Sequence, residues 1–156
     1  MRGKILIVED FADWRDLLKG ILQREGHEIE AVGTAQAARQ YLAETSGLDL
    51  AILDIRLVET DESNEEGMRL LAEIRRDHPF TCVIMISGHG TMELQRKAFR
   101  EFHAFDFFRK EQFASEEFRK TVREAVEEAT RNRRAAKDKD YIRGHRFEQW
   151  QRDQGQ

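Results

Sequence analysis

The sequence predicts an α/β fold, with five parallel strands and five helices arranged as a three-layer sandwich. Short apolar runs of strand length recur along the chain, and most of them are continuous rather than alternating. Continuous runs of Ile, Val, Leu and Phe are typical of strands covered on both faces, as in a parallel sheet. Helical segments separate the runs, which implies right-handed crossovers. The runs are KILIVE (4–9), EIEAV (28–32), DLAILD (49–54), CVIMIS (82–87) and FDFFRK (105–110), of which EIEAV is the most polar and is expected at an edge.

The helices are predicted from apolar residues that recur every three or four positions between the strands. Gly26 suits the C-terminal cap of the first helix, because glycine readily adopts the left-handed conformation found there. Thr34 can cap a second helix, which runs to about Glu44, since its hydroxyl can accept a backbone N–H of the first turn. The apolar face of the first helix consists of Phe11, Trp14, Leu17, Leu18, Ile21 and Leu22.

Three more helices follow the same pattern. The third has to end before Pro79, because proline disfavours a helical conformation in the residue before it. The fourth, from about Thr91 to Arg100, has the weakest pattern, and Ser115 is expected to cap the fifth. The apolar residues of the third helix are Met68, Leu70, Leu71 and Ile74, and those of the fifth are Phe118, Val122, Ala125, Val126 and Ala129.

Composition places the chain among charged globular proteins. Its 156 residues fit one domain with a modest appendage, and 40% apolar with 36% charged residues is not typical of a disordered chain. The start, MRGKILIVED, lacks the apolar core and cleavage site of a signal peptide, and no stretch is apolar enough to span a bilayer. The single cysteine, Cys82, opens an apolar run and is interpreted as a buried core residue. We therefore expect a cytoplasmic protein.

The charge is unevenly spread between the body and the C-terminal end. Residues 131–156 hold eight basic and four acidic side chains, although the whole chain has a net charge of −4. The body is therefore acidic, which makes nucleic acid an improbable partner for it. We expect one domain over residues 1–130 and a basic tail over 131–156 that extends the fifth helix, is flexible, or both. Three aromatic residues of this tail (Tyr141, Phe147 and Trp150) could dock on a partner, on a second copy or on nucleic acid.

Chemically useful side chains stand at the ends of four of the five predicted strands: Glu9 with Asp10, Asp54, Ser87 and Lys110. The carboxyl ends of parallel strands meet at one edge of a sheet, where such folds bind ligands. Three converging carboxylates repel one another unless a cation joins them, and Mg²⁺ (or Mn²⁺) suits oxygen ligands. An aspartate can act as a nucleophile toward phosphorus, while a lysine and a hydroxyl can stabilise the transferring group. Together these groups meet the needs of in-line phosphoryl transfer.

Each of these residues has a simpler interpretation when it is taken alone. Glu9 and Asp10 could cap the first helix, Asp54 and Ser87 could be turn residues, and Lys110 could be a solvated surface lysine. Their occurrence together at the ends of four different strands favours the joint site.

The segments ILIVED, AILD, MISGHG and FDFFRK, in this order and spacing, resemble the receiver domain of two-component response regulators over about residues 3–130. The resemblance implies a sheet in the order 2-1-3-4-5, as in flavodoxin-like folds, and phosphotransfer from a histidine kinase or histidine phosphotransfer protein. It implies that Asp54 is the phosphoacceptor and that Lys110 pairs with the phosphate. It also implies that Mg²⁺ binds Asp10, Asp54, the main-chain carbonyl of Arg56 and, often through water, Glu9.

The resemblance further implies a switch. Ser87 matches the hydroxyl that moves toward the phosphoryl group, and Phe107 matches the aromatic residue that then turns inward. The face formed by the fourth helix, the fifth strand and the fifth helix is the expected output surface, for a downstream protein or a second copy. Arg56 and His89 match the positions that commonly tune the lifetime of the phosphoryl group, although a solvent-facing loop residue is the favoured interpretation of His89.

Three features depart from the family pattern. Gly67 stands thirteen residues after Asp54, which is further than usual, and the intervening residues 59–66 are strongly acidic and lack the usual proline. A solvated insertion is favoured there over a calcium site, because the spacing of an EF-hand loop is absent. Its charge could select among kinases. Glu111 replaces the proline that usually follows the lysine, and His103 replaces a common glycine before the fifth strand.

The leading interpretation is a phosphorylatable signalling switch whose only expected chemistry is its own phosphotransfer and dephosphorylation. The alternative is a pseudo-receiver, an interaction module that works without phosphate. An aspartate-nucleophile phosphatase is disfavoured, because those enzymes commonly carry a second aspartate two residues on, where this chain has Arg56.

Overall fold

The computed structural model describes residues 2–57, 64–88 and 91–154, apart from the side chains of Tyr141, Ile142 and His145. Five parallel strands form one sheet in the order β2-β1-β3-β4-β5, so the predicted fold is confirmed. The strands are β1 (Lys4–Val8), β2 (Glu28–Val32), β3 (Leu50–Asp54), β4 (Cys82–Ser87) and β5 (Asp106–Arg109).

Helices cover both faces of the sheet. They are α1 (Ala12–Arg24), α2 (Ala35–Glu44), α3 (Glu66–Asp77), α4 (Met92–Arg100) and α5 (Ser115–Gln154), and a short 3₁₀ turn (Lys110–Gln112) joins β5 to α5. Helices α1 and α5 pack on one face, and α2, α3 and α4 pack on the other. The central strands β3 and β4 are buried along their whole length, which explains their continuous apolar sequences. Strand β2 lies at an edge and is largely half-exposed, as its polar sequence predicted.

Several helix ends agree with the sequence. The Thr34 hydroxyl accepts the N–H of Ala37 at 3.1 Å, and the Thr91 hydroxyl caps α4 in the same way. Gly26 has a positive φ of 90°, and the N–H of His27 reaches back to the Leu22 carbonyl, so the chain turns sharply after α1.

Two predicted details are wrong. Helix α5 begins at Ser115, so Ser115 is its first residue and not its cap. The reason is the preceding turn, in which Phe113 donates its N–H to the Lys110 carbonyl and its ring packs on Phe118. The first helical hydrogen bond therefore runs from the Phe118 N–H to the Ala114 carbonyl. Leu17 is 43% exposed and lies at the margin of the buried face of α1, and Phe11 precedes the first turn and is also exposed.

His103, which stands where the family commonly has glycine, has a positive φ of 53°. This is the left-handed region that favours glycine. The backbone before β5 therefore has a conformation that suits glycine, and it is energetically unfavourable for histidine.

Helix α5 continues through most of the basic segment. Arg133 joins it to the amino end of the sheet, where its Nη2 donates to the Leu48 carbonyl at 3.2 Å and lies 3.0 Å from Asp49 Oδ1. Farther along, Phe147 and Trp150 are each more than half exposed, and their rings stack with centroids 6.0 Å apart. None of the helices in the described part of the chain is long and apolar enough to cross a membrane.

Candidate functional site

The carboxyl edge of the sheet brings three acidic side chains together. Glu9 and Asp10 follow β1, and Asp54 ends the neighbouring strand β3. One carboxylate oxygen from each of the three lies within 4.8 Å of the others. Glu9 is fully buried and Asp54 is almost so. The two carboxylates are therefore held out of water at a distance where like charges repel strongly.

Lys110 directly follows the edge strand β5, and its side chain reaches this acidic cluster. Its Nζ lies 3.0 Å from Asp54 Oδ2 and 3.0 Å from Glu9 Oε1, and its side chain is only 8% exposed. The same ammonium lies over the ring of Trp14, 5.4 Å from the ring centroid. The lysine is thus fixed by two ion pairs and one aromatic face, instead of being a solvated surface residue.

The protonation of these groups reflects their burial. Burial, followed by the charge of Asp54, raises the pKa of Glu9 to about 8, although Lys110 acts in the opposite direction. Burial also raises the pKa of Asp54, and Lys110 lowers it. Burial alone would lower the pKa of Lys110, but the charges of Asp54 and Glu9 outweigh it and the pKa is raised. The cluster holds more negative charge than its single lysine can balance, which is the condition that favours binding of a further cation.

The donor set fits a hard divalent cation. Glu9 Oε2 is buried and accepts no hydrogen bond among the described residues. Such an atom is costly unless something else satisfies it. The ligand atoms at hand are all carboxylate oxygens, which Mg²⁺ and Mn²⁺ prefer over nitrogen or sulfur ligands.

Of the predicted switch residues, Ser87 lies on the strand next to Asp54, and Phe107 lies one strand farther from the cluster. Ser87 ends β4 and is 1% exposed. Phe107 lies on the neighbouring strand β5, is 9% exposed, and belongs to the apolar layer under α2, α3 and α4. A movement of Phe107 would therefore rearrange packing that already exists, and would not carry the ring from solvent into the core.

Of the remaining predicted residues, Arg56 lies in the loop after β3, and His89 follows β4 in the sequence. Arg56 donates its N–H to Asp54 Oδ1 at 3.2 Å, and it lines an open groove of about 380 Å³ that also includes Thr91 and Lys97 of the α4 side. His89 and the acidic residues Glu59, Asp61 and Glu62 lie outside the described residues.

Two residues fix the ends of this long loop. Asn64 Oδ1 accepts the N–H groups of both Leu57 and Glu66, and so joins the strand end to the start of α3. Gly67 donates its N–H to the Ile55 carbonyl at 3.0 Å, and its Cα lies so close to the Asp54 peptide that a Cβ there would overlap the Asp54 carbonyl oxygen. Gly67 therefore stands at a close backbone contact that only glycine, which has no Cβ, allows.

Sequence reasoning missed the contributions of Asn64 and Trp14. Asn64 had a weak signal, because asparagine commonly accepts nearby backbone N–H groups in turns. Trp14 was interpreted only as one apolar residue on the inner face of α1, and its contact with Lys110 depends on the tertiary fold.

The family profile described as "Response regulator receiver domain" matches residues 5–123. The chain belongs to the response regulator receiver domain family. This match covers all five strands except the first residue of β1, and the first part of α5, and it includes every residue of the acidic cluster.

Individual relatives agree with the assignment. The nitrogen assimilation regulatory protein NtrX of Azorhizobium caulinodans is 40% identical over 112 residues, which are 70% of this chain and 23% of that protein. The response regulator protein PilR of Pseudomonas aeruginosa is 34% identical over 70% of this chain and 23% of its own length. The chain thus spans about a quarter of the length of these curated relatives.

Solved structures show the same fold. NtrX from Brucella abortus in complex with ADP matches with a TM-score of 0.74 and 35% identity, over 88% of this chain and 29% of that one. A CheY-like receiver domain protein from Methanospirillum hungatei has a TM-score of 0.73 and 26% identity, over 85% and 99% of the two chains. The beryllofluoride-activated NtrC4 receiver domain dimer has a TM-score of 0.70 and 28% identity, over 81% and 98%.

Proposed function

We propose that this receiver domain accepts a phosphoryl group on Asp54, in a reaction that depends on Mg²⁺ or Mn²⁺, and that the donor is a histidine kinase or a histidine phosphotransfer protein. The observation that carries the proposal is the placement of the Lys110 ammonium 3.0 Å from both Asp54 and Glu9 inside a cluster of three carboxylates. A purely structural site would gain nothing from concentrating negative charge in this way.

Each residue of the site has its own role in the proposed phosphoryl transfer. An Asp54 oxygen attacks phosphorus while the bond from phosphorus to the donor imidazole breaks, and the electron pair of that bond returns to the imidazole. Lys110 lies beside Asp54 Oδ2 and offers its positive charge to the phosphoryl oxygens. Glu9, Asp10, Asp54 and the main-chain carbonyl of Arg56 would hold the metal. The bound metal would supply further positive charge for the transferring group.

The switch follows from the new charge at Asp54. A phosphoryl group adds strong acceptor oxygens next to β4, and the Ser87 hydroxyl is the donor that we assign to them. Its movement would alter the packing of Phe107 and so change the face formed by α4, β5 and α5. We assign Arg56 to control of the phosphoryl lifetime, because it lines the groove beside Asp54. An unchanged decay rate in Arg56→Ala would remove that assignment.

The partners are expected to be proteins. The α4-β5-α5 face is the surface that we assign to a downstream partner or to a second copy, since a related receiver domain is known as an activated dimer. Nucleic acid is an improbable partner for the acidic body. We place the protein in the cytoplasm, where kinase-fed receivers of this family would meet their donors.

One experiment tests the proposal directly. The protein is incubated with acetyl phosphate, with and without Mg²⁺, and intact-mass spectrometry detects the addition of one phosphoryl group. We expect addition that requires Mg²⁺, that is lost in Asp54→Ala, and that persists in Asp106→Asn, a matched control at a half-buried aspartate of β5. If the wild type shows no Mg²⁺-dependent addition, the chain is a pseudo-receiver that works without phosphate.

A further inference from the structure

Lys110 has a third contact that is independent of the carboxylates. Its ammonium lies over the ring of Trp14, 5.4 Å from the centroid, in the range where a cation is attracted to an aromatic face. Trp14 belongs to the first turn of α1, the helix that begins directly after Glu9 and Asp10. The ring thus approaches the lysine from the helix that follows two of the acidic side chains in the chain.

The ring of Trp14 is itself held by aromatic neighbours. It meets Phe113 edge to face, with centroids 5.3 Å apart and planes at 87°. Phe113 packs on Phe118 at 5.2 Å, and Phe118 is fully buried and packs edge to face on Phe108 of β5. This row of rings ties Trp14 to the core on the α1 and α5 side of the sheet.

The backbone closes the arrangement into a loop. Phe113 donates its N–H to the Lys110 carbonyl at 3.3 Å across the 3₁₀ turn. Lys110 is therefore joined to Phe113 through the turn, Phe113 to Trp14 through their rings, and Trp14 to the Lys110 ammonium. The next residue, Glu111, takes no part in this loop, because its exposed side chain pairs with Arg109 at 3.9 Å.

We propose that Trp14 is a positioning residue whose ring face holds the Lys110 ammonium where it meets the phosphoryl group on Asp54. The inference rests on the proposed function and adds a residue to it. The carboxylates alone would not keep the Lys110 ammonium in position, because a bound metal and a new phosphoryl group compete for the same oxygens of Glu9 and Asp54. The ring offers a contact that neither of them competes for, since it supplies no ligand oxygen.

The contact can be observed without any phosphoryl transfer. Protons under an aromatic ring face shift upfield, so the methylene protons next to the Lys110 ammonium should resonate upfield of those of other lysines in an NMR spectrum. Trp14→Leu should abolish this shift, and Trp14→Phe should keep part of it. A control variant, Trp150→Leu, removes the exposed tryptophan of the tail and should leave the shift unchanged. An unshifted Lys110 in the wild type would overturn the proposal even if Asp54 is phosphorylated.

The consequence is measured as the rate of Asp54 phosphorylation by acetyl phosphate at saturating Mg²⁺. We expect Trp14→Leu to lower the rate roughly 3- to 30-fold and Trp14→Phe to recover most of it, because only the aromatic side chain keeps a ring face. The Mg²⁺ affinity, measured by calorimetry, should change far less than the rate. In a Lys110→Met background, Trp14→Leu should have no further effect, since the two changes remove the same interaction.

Two results would contradict the positioning role: an unchanged rate in Trp14→Leu, or an equal further loss in the Lys110→Met background, which would indicate a merely structural effect. If Trp14→Leu does not fold, fluorinated tryptophans in the Trp150→Phe background replace it. Fluorine weakens the ring face with little change of shape, so the rate should fall with each added fluorine, and a flat series would overturn the proposal. Failure of the wild type to accept phosphate would instead count against the proposed function.

Discussion

The two edges of the sheet each hold a buried carboxylate beside a cation, yet they are built differently. At the amino edge, where the strands begin, Asp49 accepts the N–H of Lys4 at 2.9 Å through one oxygen and lies 3.0 Å from Arg133 through the other. At the carboxyl edge, where the strands end, Asp54 shares the Lys110 ammonium with Glu9 and lies close to Asp10 as well. One edge balances its charges, and the other leaves negative charge in excess.

This difference separates stability from chemistry within one sheet. A carboxylate that lies beside a cation and also accepts a backbone N–H has its charge balanced, and it anchors the elements that supply those groups. Carboxylates that crowd around a single lysine are held there by the rest of the fold, and they are available to a metal and a phosphoryl group. The amino edge therefore fixes α5 to the sheet, and the carboxyl edge carries the proposed reaction.

The largest expected difference in stability between the two edges concerns two glycines, one at each edge. A Cβ on Gly67 would overlap the backbone carbonyl of Asp54, whereas a Cβ on Gly3 would meet the methyl groups of Val126. Backbone cannot yield as a side chain can. We expect Gly67→Ala to lower the free energy of unfolding by about 3 kcal/mol or more, and Gly3→Ala by about 1–2 kcal/mol.

Urea unfolding at equilibrium measures both glycine variants. Gly20→Ala, within α1, serves as a control, because only the end of the flexible Arg24 side chain lies near its added methyl. It should leave the protein as stable as the wild type, or slightly more so. Equal losses in Gly67→Ala and Gly3→Ala would show that the Asp54 strand end is no more tightly constrained than the amino edge.

A smaller effect is expected at the anchor of α5. Arg133→Gln removes the cation from the buried Asp49 and one of the donors to the Leu48 carbonyl. That carbonyl still accepts the Thr81 hydroxyl. We expect a loss of about 1–2 kcal/mol in the free energy of unfolding, because Arg133 is itself partly exposed. Arg134→Gln, at the exposed neighbouring position, is the matched control and should change stability by less than about 0.5 kcal/mol.

The same pair of arginine variants sharpens the division of roles. Phosphorylation of Asp54 by acetyl phosphate should proceed at the wild-type rate in both, since Arg133 lies at the opposite edge of the sheet. A slower reaction in Arg133→Gln alone would show that the two edges are coupled through α5, and that the amino edge contributes to the chemistry.

Most of the fold could be predicted because burial leaves a direct record in the sequence. Strands β3 and β4 are covered on both faces and so are continuously apolar, while the edge strand β2 is polar. Ser115 was predicted as the cap of α5 but is its first helical residue, because the 3₁₀ turn and the packing of Phe113 determine where the helix begins. The helix propensities of the local residues do not reveal a boundary that is set by tertiary packing.

The same limit applies to the site. The convergence of Glu9, Asp10, Asp54 and Lys110 could be predicted, because parallel strands bring their carboxyl ends to one edge. The sequence could not show that Lys110 would contact Glu9 as well as Asp54, or that Trp14 would lie under its ammonium. Those contacts depend on side-chain directions across α1, β3 and the turn after β5. The bridging role of Asn64 depends likewise on where the long loop closes.

The most direct test of the account replaces one aspartate at each edge by its neutral isostere. Urea unfolding of Asp10→Asn and Asp49→Asn in EDTA compares the two without metal. Asp10→Asn relieves repulsion at the carboxyl edge and should raise the free energy of unfolding by about 0.5–2 kcal/mol. Asp49→Asn breaks a balanced pair at the amino edge and should lower it by about 1–3 kcal/mol. Changes of the same sign in the two variants would contradict the account.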